Sequence, residues 1–210
     1  MRAIAIVAQK GGAGKTTVSV HLAVAALLAG EKVAILDIDP QRSALTWAET
    51  REANDLTVVA IDPSDVRAAL DEARSDGFTV VFLDTAPRAT SIATAIVEAA
   101  DFAVVPVRPS AFDLRTLDQS LAIVAAARRP GIILLNACPA RAPEVSEARS
   151  ICMDRTLPLS TVELGDRRAY ARAVQSGRAV MEFEPKGAAA DEIARLWRDV
   201  DLRSAQHALV

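Results

Sequence analysis

"VAQKGGAGKTT", residues 7–17, decides how the rest of the chain is read. Gly11, Gly12 and Gly14 admit backbone angles and close approaches that a side chain would block, and Ala13 is nearly as small. A run of this kind ending in Gly-Lys-Thr turns its backbone N–H groups onto phosphates. An apolar stretch suited to a buried strand, Ala3–Val7, precedes it, and a segment of helical periodicity, Thr16–Ala29, follows. That order adds a helix N-terminus, whose oriented N–H groups and dipole favour anions. Lys15 is then placed to reach the β- and γ-phosphates of a nucleotide, Thr16 to ligate Mg²⁺ through its hydroxyl, and Thr17 to bond the α-phosphate. The standard pattern asks for glycine where Gln9 stands, and a second lysine, Lys10, sits at the far end of the loop.

Two acidic segments accompany the loop. "AILDIDPQ" (34–41) closes one apolar run with Asp37 and Asp39, and "VVFLDTAP" (80–87) closes another with Asp84. A hydrophobic strand that terminates in aspartate is a usual way to hold Mg²⁺, directly or through water. One such aspartate alone reads as a turn or cap; two beside a phosphate loop read as a metal site.

Strand-like runs recur at Ala3–Val7, Val33–Leu36, Thr57–Ile61, Val80–Leu83, Phe102–Val107 and Ile132–Leu135. Helical periodicity fills the intervals at Thr16–Ala29, Ser43–Ala53, Ser64–Ser75, Thr90–Ala99, Leu114–Ala127 and Pro143–Asp154, with a last helix at Lys186–Val200. The alternation predicts an α/β fold, a mostly parallel twisted sheet flanked by helices on both faces in three layers. Residues 1–200 read as a single domain and 201–210 as a frayed tail. Half the chain is hydrophobic (51%) but only 4% is aromatic, so Ala, Val, Leu and Ile must do the packing, with Trp47 in the core or an interface. Nothing reads as a secretory signal or a membrane span, which places the chain in the cytoplasm. Cys138 and Cys152 lack metal-ligand spacing and read as buried thiols. The formal charge of −3 excludes a wholesale basic nucleic-acid binder, though not a local basic patch.

"KGGAGKTT" (10–17), "DIDPQ" (37–41) and "FLDTAP" (82–87) together resemble the deviant Walker A, Walker A′ and Walker B motifs of the ParA/MinD family of P-loop ATPases. The likeness extends to "VVPVRPSAFDL" (104–114) and "PKGAAADEI" (185–193), and it is greatest to short ParA-type partition proteins without an N-terminal winged-helix domain. The resemblance implies an ATP-dependent sandwich homodimer in which Lys10 reaches the partner's ATP, Lys15 and Lys10 serve the phosphates, and Asp39 orients the lytic water. Thr16, Asp37 and Asp84 would serve the metal, with ATP and Mg²⁺ as the cofactors. For the adenine it points to Asn136, which reads equally as a strand-end cap, and to the 107–111 loop around Pro109. Of the two histidines, His21 reads as a helix-face residue rather than a catalyst. Hydrolysis is expected to be slow until a partner stimulates it. Two departures from the family pattern, Ala86 and Arg88 in "DTAPRAT", fall in the switch loop.

The resemblance further implies sequence-independent DNA binding by the ATP-bound dimer, hence nucleoid association, and release on hydrolysis stimulated by a small centromere-binding adaptor, ParB-like or ribbon-helix-helix. Arg167, Arg168, Arg172 and Arg178 in "GDRRAYARAVQSGR" (165–178) are the candidate phosphate contacts, set against a plain solvated helix face. Two other readings remain: a MinD-like or cargo-positioning ATPase, and an ATP-dependent synthetase on the same fold. The C-terminal segment lacks the bulky apolar anchors of a membrane-binding helix.

Overall fold

A computed structural model of the chain describes residues 1–87 and 90–207. Among them, β1 (Arg2–Ile6), β2 (Val33–Asp37), β3 (Thr57–Ala60), β4 (Val80–Asp84), β5 (Phe102–Val107) and β6 (Gly131–Leu135) form one parallel sheet. The strand order is β3-β2-β4-β1-β5-β6. The helices are α1 (Lys15–Leu28), α2 (Ser43–Glu49), α3 (Val66–Ser75), α4 (Thr90–Ala99), α5 (Ala111–Ala126), α6 (Pro143–Met153), α7 (Arg168–Gln175), α8 (Val180–Phe183) and α9 (Ala188–His207).

The continuous apolar runs follow from burial on both faces: β2, β4, β5 and β6 are buried at every position. Successive side chains point to opposite faces and feed two cores. Ile4, Ile6, Ile35, Phe82, Val104 and Ile132 pack with α1, α7, α8 and α9. Ala5, Leu36, Leu83, Val105 and Ile133 pack with α3, α4, α5 and α6. Helix α1 is buried over ten of its 14 residues and packs against both the sheet and α9. Trp47 is in the first core, 3% exposed.

The edge of β6 is covered by its own chain. Ile133 N–H donates to Pro158 O (2.9 Å), Ser160 N–H to Ile133 O (2.8 Å) and Cys138 N–H to Leu164 O (2.9 Å), so residues 158–166 occupy groups that would invite a foreign strand. Both cysteines are buried and free.

Three boundaries differ from the sequence expectation by three residues or more. Helix α2 stops at Glu49, where Thr50 Oγ1 turns back onto Trp47 O (2.7 Å). Helix α5 begins at Ala111, three residues early, because Ser110 caps it by accepting from Asp113 N–H. Helix α9 runs through His207 instead of fraying after Asp201: Ser204 is fully buried, and Arg2 pairs with both Asp201 and Glu31. The arginine-rich segment 165–178 contains α7, which the sequence reading left without an element of its own; α8 was also unforeseen.

His21 lies at the centre of α1. Its Nδ1 donates to Thr17 O at 2.7 Å, its ring meets Tyr170 edge-on at 5.2 Å, and Nε2 has no hydrogen-bond partner among the described residues. Burial pushes its pKa down to about 4. A lowered pKa means that the unfolded chain takes up the proton first, so stability falls as the pH drops from 6.5 towards 4. The loss is on the order of 3 kcal/mol at most. His21→Phe, which keeps the edge contact with Tyr170, is expected to flatten this slope in urea unfolding series between pH 7 and pH 4.

Candidate functional site

The C-terminal edge of a parallel sheet is where loops and helix N-termini converge. Here the register sets Ile6 of β1 opposite Asp84 of β4, and Asp84 opposite Asp37 of β2. The phosphate-type loop leaves β1 at this edge and enters α1. Gly12 and Gly14 both have left-handed backbone, with φ of 76° and 96°. Gly14 is constrained a second way, since a Cβ there would lie 2.1 Å from Asn136 Nδ2. That amide donates to Ala13 O at 2.7 Å, and Gln9 N–H donates to Ser120 Oγ at 3.0 Å. The loop is thus tied down at both ends. It opens on a cleft of about 600 Å³ lined by Gly11, Gly12, Gly14, Lys15, Thr16 and Thr17 on one side and by Asp39, Pro40, Gln41, Ser43, Ala86 and Pro87 on the other.

Lys15 heads α1 and is only 7% exposed. Its Nζ donates to Lys10 O at 3.3 Å, and burial lowers its pKa against the opposing pull of Asp84 and Asp39. Asp84 is fully buried. Burial raises its carboxyl to about 7, the Asp37 charge adds to the rise, and the hydroxyls of Thr16 and Ser19 and the charge of Lys15 oppose it. Its Oδ1 accepts from Ser19 Oγ at 3.1 Å, while Oδ2 has no hydrogen-bond partner among the described residues. A buried carboxylate oxygen left open, beside a hydroxyl and a buried lysine, suits a divalent cation that arrives with phosphate. Among the described residues no group of three or more acidic, histidine or cysteine side chains could hold a metal alone, so phosphate oxygens would have to complete the shell.

Asp37 is tied to the backbone that follows it. Its Oδ1 accepts from Asp39 N–H (3.1 Å), and its Oδ2 accepts from Ala44 N–H (2.9 Å) and Leu45 N–H (3.0 Å). These bonds cap the start of α2 and fix the turn that carries Asp39. Burial raises its pKa, and those three N–H groups counter the rise. Asp39 itself is half-buried at the cleft mouth, with Oδ1 accepting from Gln41 N–H at 2.9 Å.

Asn136 does not line the cleft. It is 8% exposed and holds the loop from behind through Ala13 O. Pro109 is buried in the turn before α5 and does not line the cleft. Lys10 does not line its own cleft; its ammonium, partly exposed, meets Asp113 Oδ2 at 2.6 Å. Asp113, Ser120 and Ser19 escaped the sequence reading. For Asp113 the Ser110-Ala-Phe-Asp113 spacing ahead of an apolar run is a capping pattern and was a usable signal.

The four candidate DNA contacts diverge. All four are exposed, and Arg172 lies over the Phe183 ring. Arg167 is held in a forked pair with Glu192, through Nε (2.8 Å) and Nη2 (2.5 Å), and Glu192 also takes Tyr170 OH at 2.9 Å. Its guanidinium serves the fold. Arg88 lies outside the described residues.

Because burial raises the Asp84 carboxyl far above its unfolded value, the folded chain holds that proton between about pH 4 and pH 7. The penalty of burying the charge is absent below this window and complete above it. Asp84→Asn is therefore expected to raise the melting temperature at pH 8 and leave it nearly unchanged at pH 4. The gain is roughly 2–4 °C per kcal/mol relieved. The same variant should lose Mg²⁺-dependent nucleotide retention.

Comparison with known proteins agrees with this geometry. Residues 4–201 match the CobQ/CobB/MinD/ParA nucleotide binding domain. The chain is 32% identical to the maintenance of carboxysome distribution protein A of Gloeobacter kilaueensis, covering 94% of this chain and 96% of that protein. It is 27% identical to the ParA protein of Rhizobium radiobacter, covering 89% and 88%. Its fold is similar to that of the MinD septum site-determining protein of Pyrococcus horikoshii complexed with Mg-ADP, with a TM-score of 0.79 at 17% identity over 95% and 96% of the two chains. With its three nucleotide-site motifs gathered at one sheet edge, the chain belongs to the CobQ/CobB/MinD/ParA family of nucleotide-binding domains, on the ParA/MinD ATPase side of it.

Proposed function

We propose that this chain is a Mg²⁺-ATP-driven switch: two copies close on two ATP molecules, the closed pair binds DNA without sequence preference, and hydrolysis opens it again. The observation that carries the reading is the division between the two lysines. Lys15 lines the cleft, whereas Lys10, on the same loop, points out of it towards α5. A lysine excluded from its own cleft, on the surface where the loop is exposed, is available to a facing copy.

Each residue has a task. The loop N–H groups of residues 11–17, with Lys15, would hold the phosphates; Thr16 and Asp84 would hold Mg²⁺. The bound metal would supply neutralisation of the charge that builds on the phosphates. Asp39, held by the Asp37 turn, accepts a hydrogen bond from the lytic water and aligns it. Among the described residues no histidine lines the cleft, and turnover is slow until a partner protein completes the site. Asn136 keeps Gly14 and Ala13 in place throughout. We place residues 1–200 in one ATPase domain, and α9 carries the chain past it.

For the cargo, the full-length likeness to proteins named for carboxysome distribution, at 32% and 30% identity, favours a protein assembly spread over nucleoid DNA. A DNA segment marked by a small centromere-binding adaptor is the second reading, favoured by the likeness to ParA. Among the described residues no helix is long and apolar enough to cross a membrane.

Sedimentation velocity with Mg²⁺ and a non-hydrolysable ATP analogue should convert the wild-type chain from monomer to dimer. Lys15→Ala should lose nucleotide binding and remain monomeric; normal turnover in that variant refutes the site. Lys10→Ala should keep nucleotide binding and lose dimerisation. In gel-shift titrations with random-sequence duplex, Arg168→Ala/Arg172→Ala/Arg178→Ala should weaken ATP-dependent binding about tenfold or more and flatten its salt dependence. Equal DNA affinity with and without ATP contradicts the switch.

A further inference from the structure

The resting place of Lys10 is built, not incidental. Its ammonium meets Asp113 Oδ2 at 2.6 Å, and that carboxylate is only 7% exposed while the lysine side chain is 36% exposed. Asp113 Oδ2 also accepts from the Ser110 hydroxyl, and Ser110 in turn caps α5 by accepting from Asp113 N–H at 3.2 Å. The ring of Phe112, 73% exposed, lies 6.0 Å from the same ammonium on its outer side. Gln9 N–H fixes the preceding residue to Ser120 of α5 at 3.0 Å. The outer end of the phosphate loop is thus stitched to the first three turns of α5, and Asp113 is the only carboxylate recorded in an ion pair with Lys10 among the described residues.

A carboxylate this buried loses water on folding, and its cation is what compensates it. Lys10 therefore cannot leave for another anion without uncovering Asp113. An incoming triphosphate offers more charge than one carboxylate, but it must compete with a contact already made. We propose that Asp113 stores Lys10 in cis, and that a second copy of this chain, presenting its bound triphosphate, takes the lysine away. The Lys10–Asp113 pair then sets the nucleotide concentration at which two copies close. Phe112, exposed beside the pair, is covered by the arriving copy.

This inference rests on the trans reading of Lys10, and the experiment separates the two. Sedimentation velocity is run on the full chain across a series of Mg²⁺–ATPγS concentrations for wild type, Asp113→Asn, Lys10→Ala and the double variant. Asp113→Asn keeps the shape and the Ser110 contact and removes the charge. It should reach half-dimer at about tenfold lower ATPγS than wild type, a shift within the usual range of coupling between sites. The double variant should behave as Lys10→Ala does. If Asp113→Asn does not fold, Asp113→Ser removes the same charge and is read the same way. Damage to the fold raises the nucleotide requirement, so a lowered one cannot come from it. An unchanged or raised requirement overturns the storage role while Lys10→Ala still fails to dimerise. If Lys10→Ala dimerises as wild type does, the trans reading itself is lost.

Discussion

The register that sets Asp37 beside Asp84, with Lys15 over them, is the constraint on which the rest of this molecule turns. Burial raises both carboxyls; the Asp37 charge adds to the rise at Asp84, and the Asp39 charge to that at Asp37. The chain resolves the conflict differently for each. Asp37 is answered by three backbone N–H groups and becomes part of the scaffold. Asp84 is answered by hydroxyls and a lysine that is itself short of water, and one oxygen stays open. The site is preloaded with an electrostatic imbalance that a metal and a polyphosphate correct together.

The same economy governs the loop. Positive φ at Gly12 and Gly14 and the Asn136 amide fix the curve of the backbone before any ligand arrives. Lys15 falls on the inside of that curve and Lys10 on the outside, so one short loop presents cations in two directions. The inward one belongs to the nucleotide cleft of its own chain. The outward one rests on α5, which couples the loop to the surface that a facing copy would meet. Arg167, by contrast, pairs with Glu192, which also accepts from Tyr170 OH and Gly165 N–H.

Much of this was legible in the sequence. The six strands appear as unbroken apolar runs because both sheet faces are covered, and β5 runs over the same residues as its apolar run, Phe102–Val107. The loop and the aspartates were legible because phosphate chemistry leaves few alternatives to glycine, lysine and strand-end carboxylates. What sequence could not give was the partner of each side chain. Asp37 and Asp84 look alike on the page; only the fold of residues 42–45 back over β2 separates a cap from an open ligand. Asn136 stands out in the sequence as an adenine candidate through the resemblance, or equally as a strand-end cap, but its target, Ala13 O, lies 123 residues away. The Lys10–Asp113 contact spans 103 residues and depends on where α5 begins, a boundary set by Ser110. Helices α7 and α8, at eight and four residues, are too short for periodicity to reveal.

The most direct measurement is turnover in mixtures of two disabled chains. Lys10→Ala retains a cleft but lacks the outward cation; Lys15→Ala retains the outward cation but cannot hold nucleotide. If Lys10 acts across the pair, a mixed dimer restores one working site, and an equimolar mixture should hydrolyse ATP well above the sum of the two chains measured alone. A rate equal to that sum at every mixing ratio would mean that Lys10 serves its own cleft, and the reciprocal arrangement described here would be contradicted.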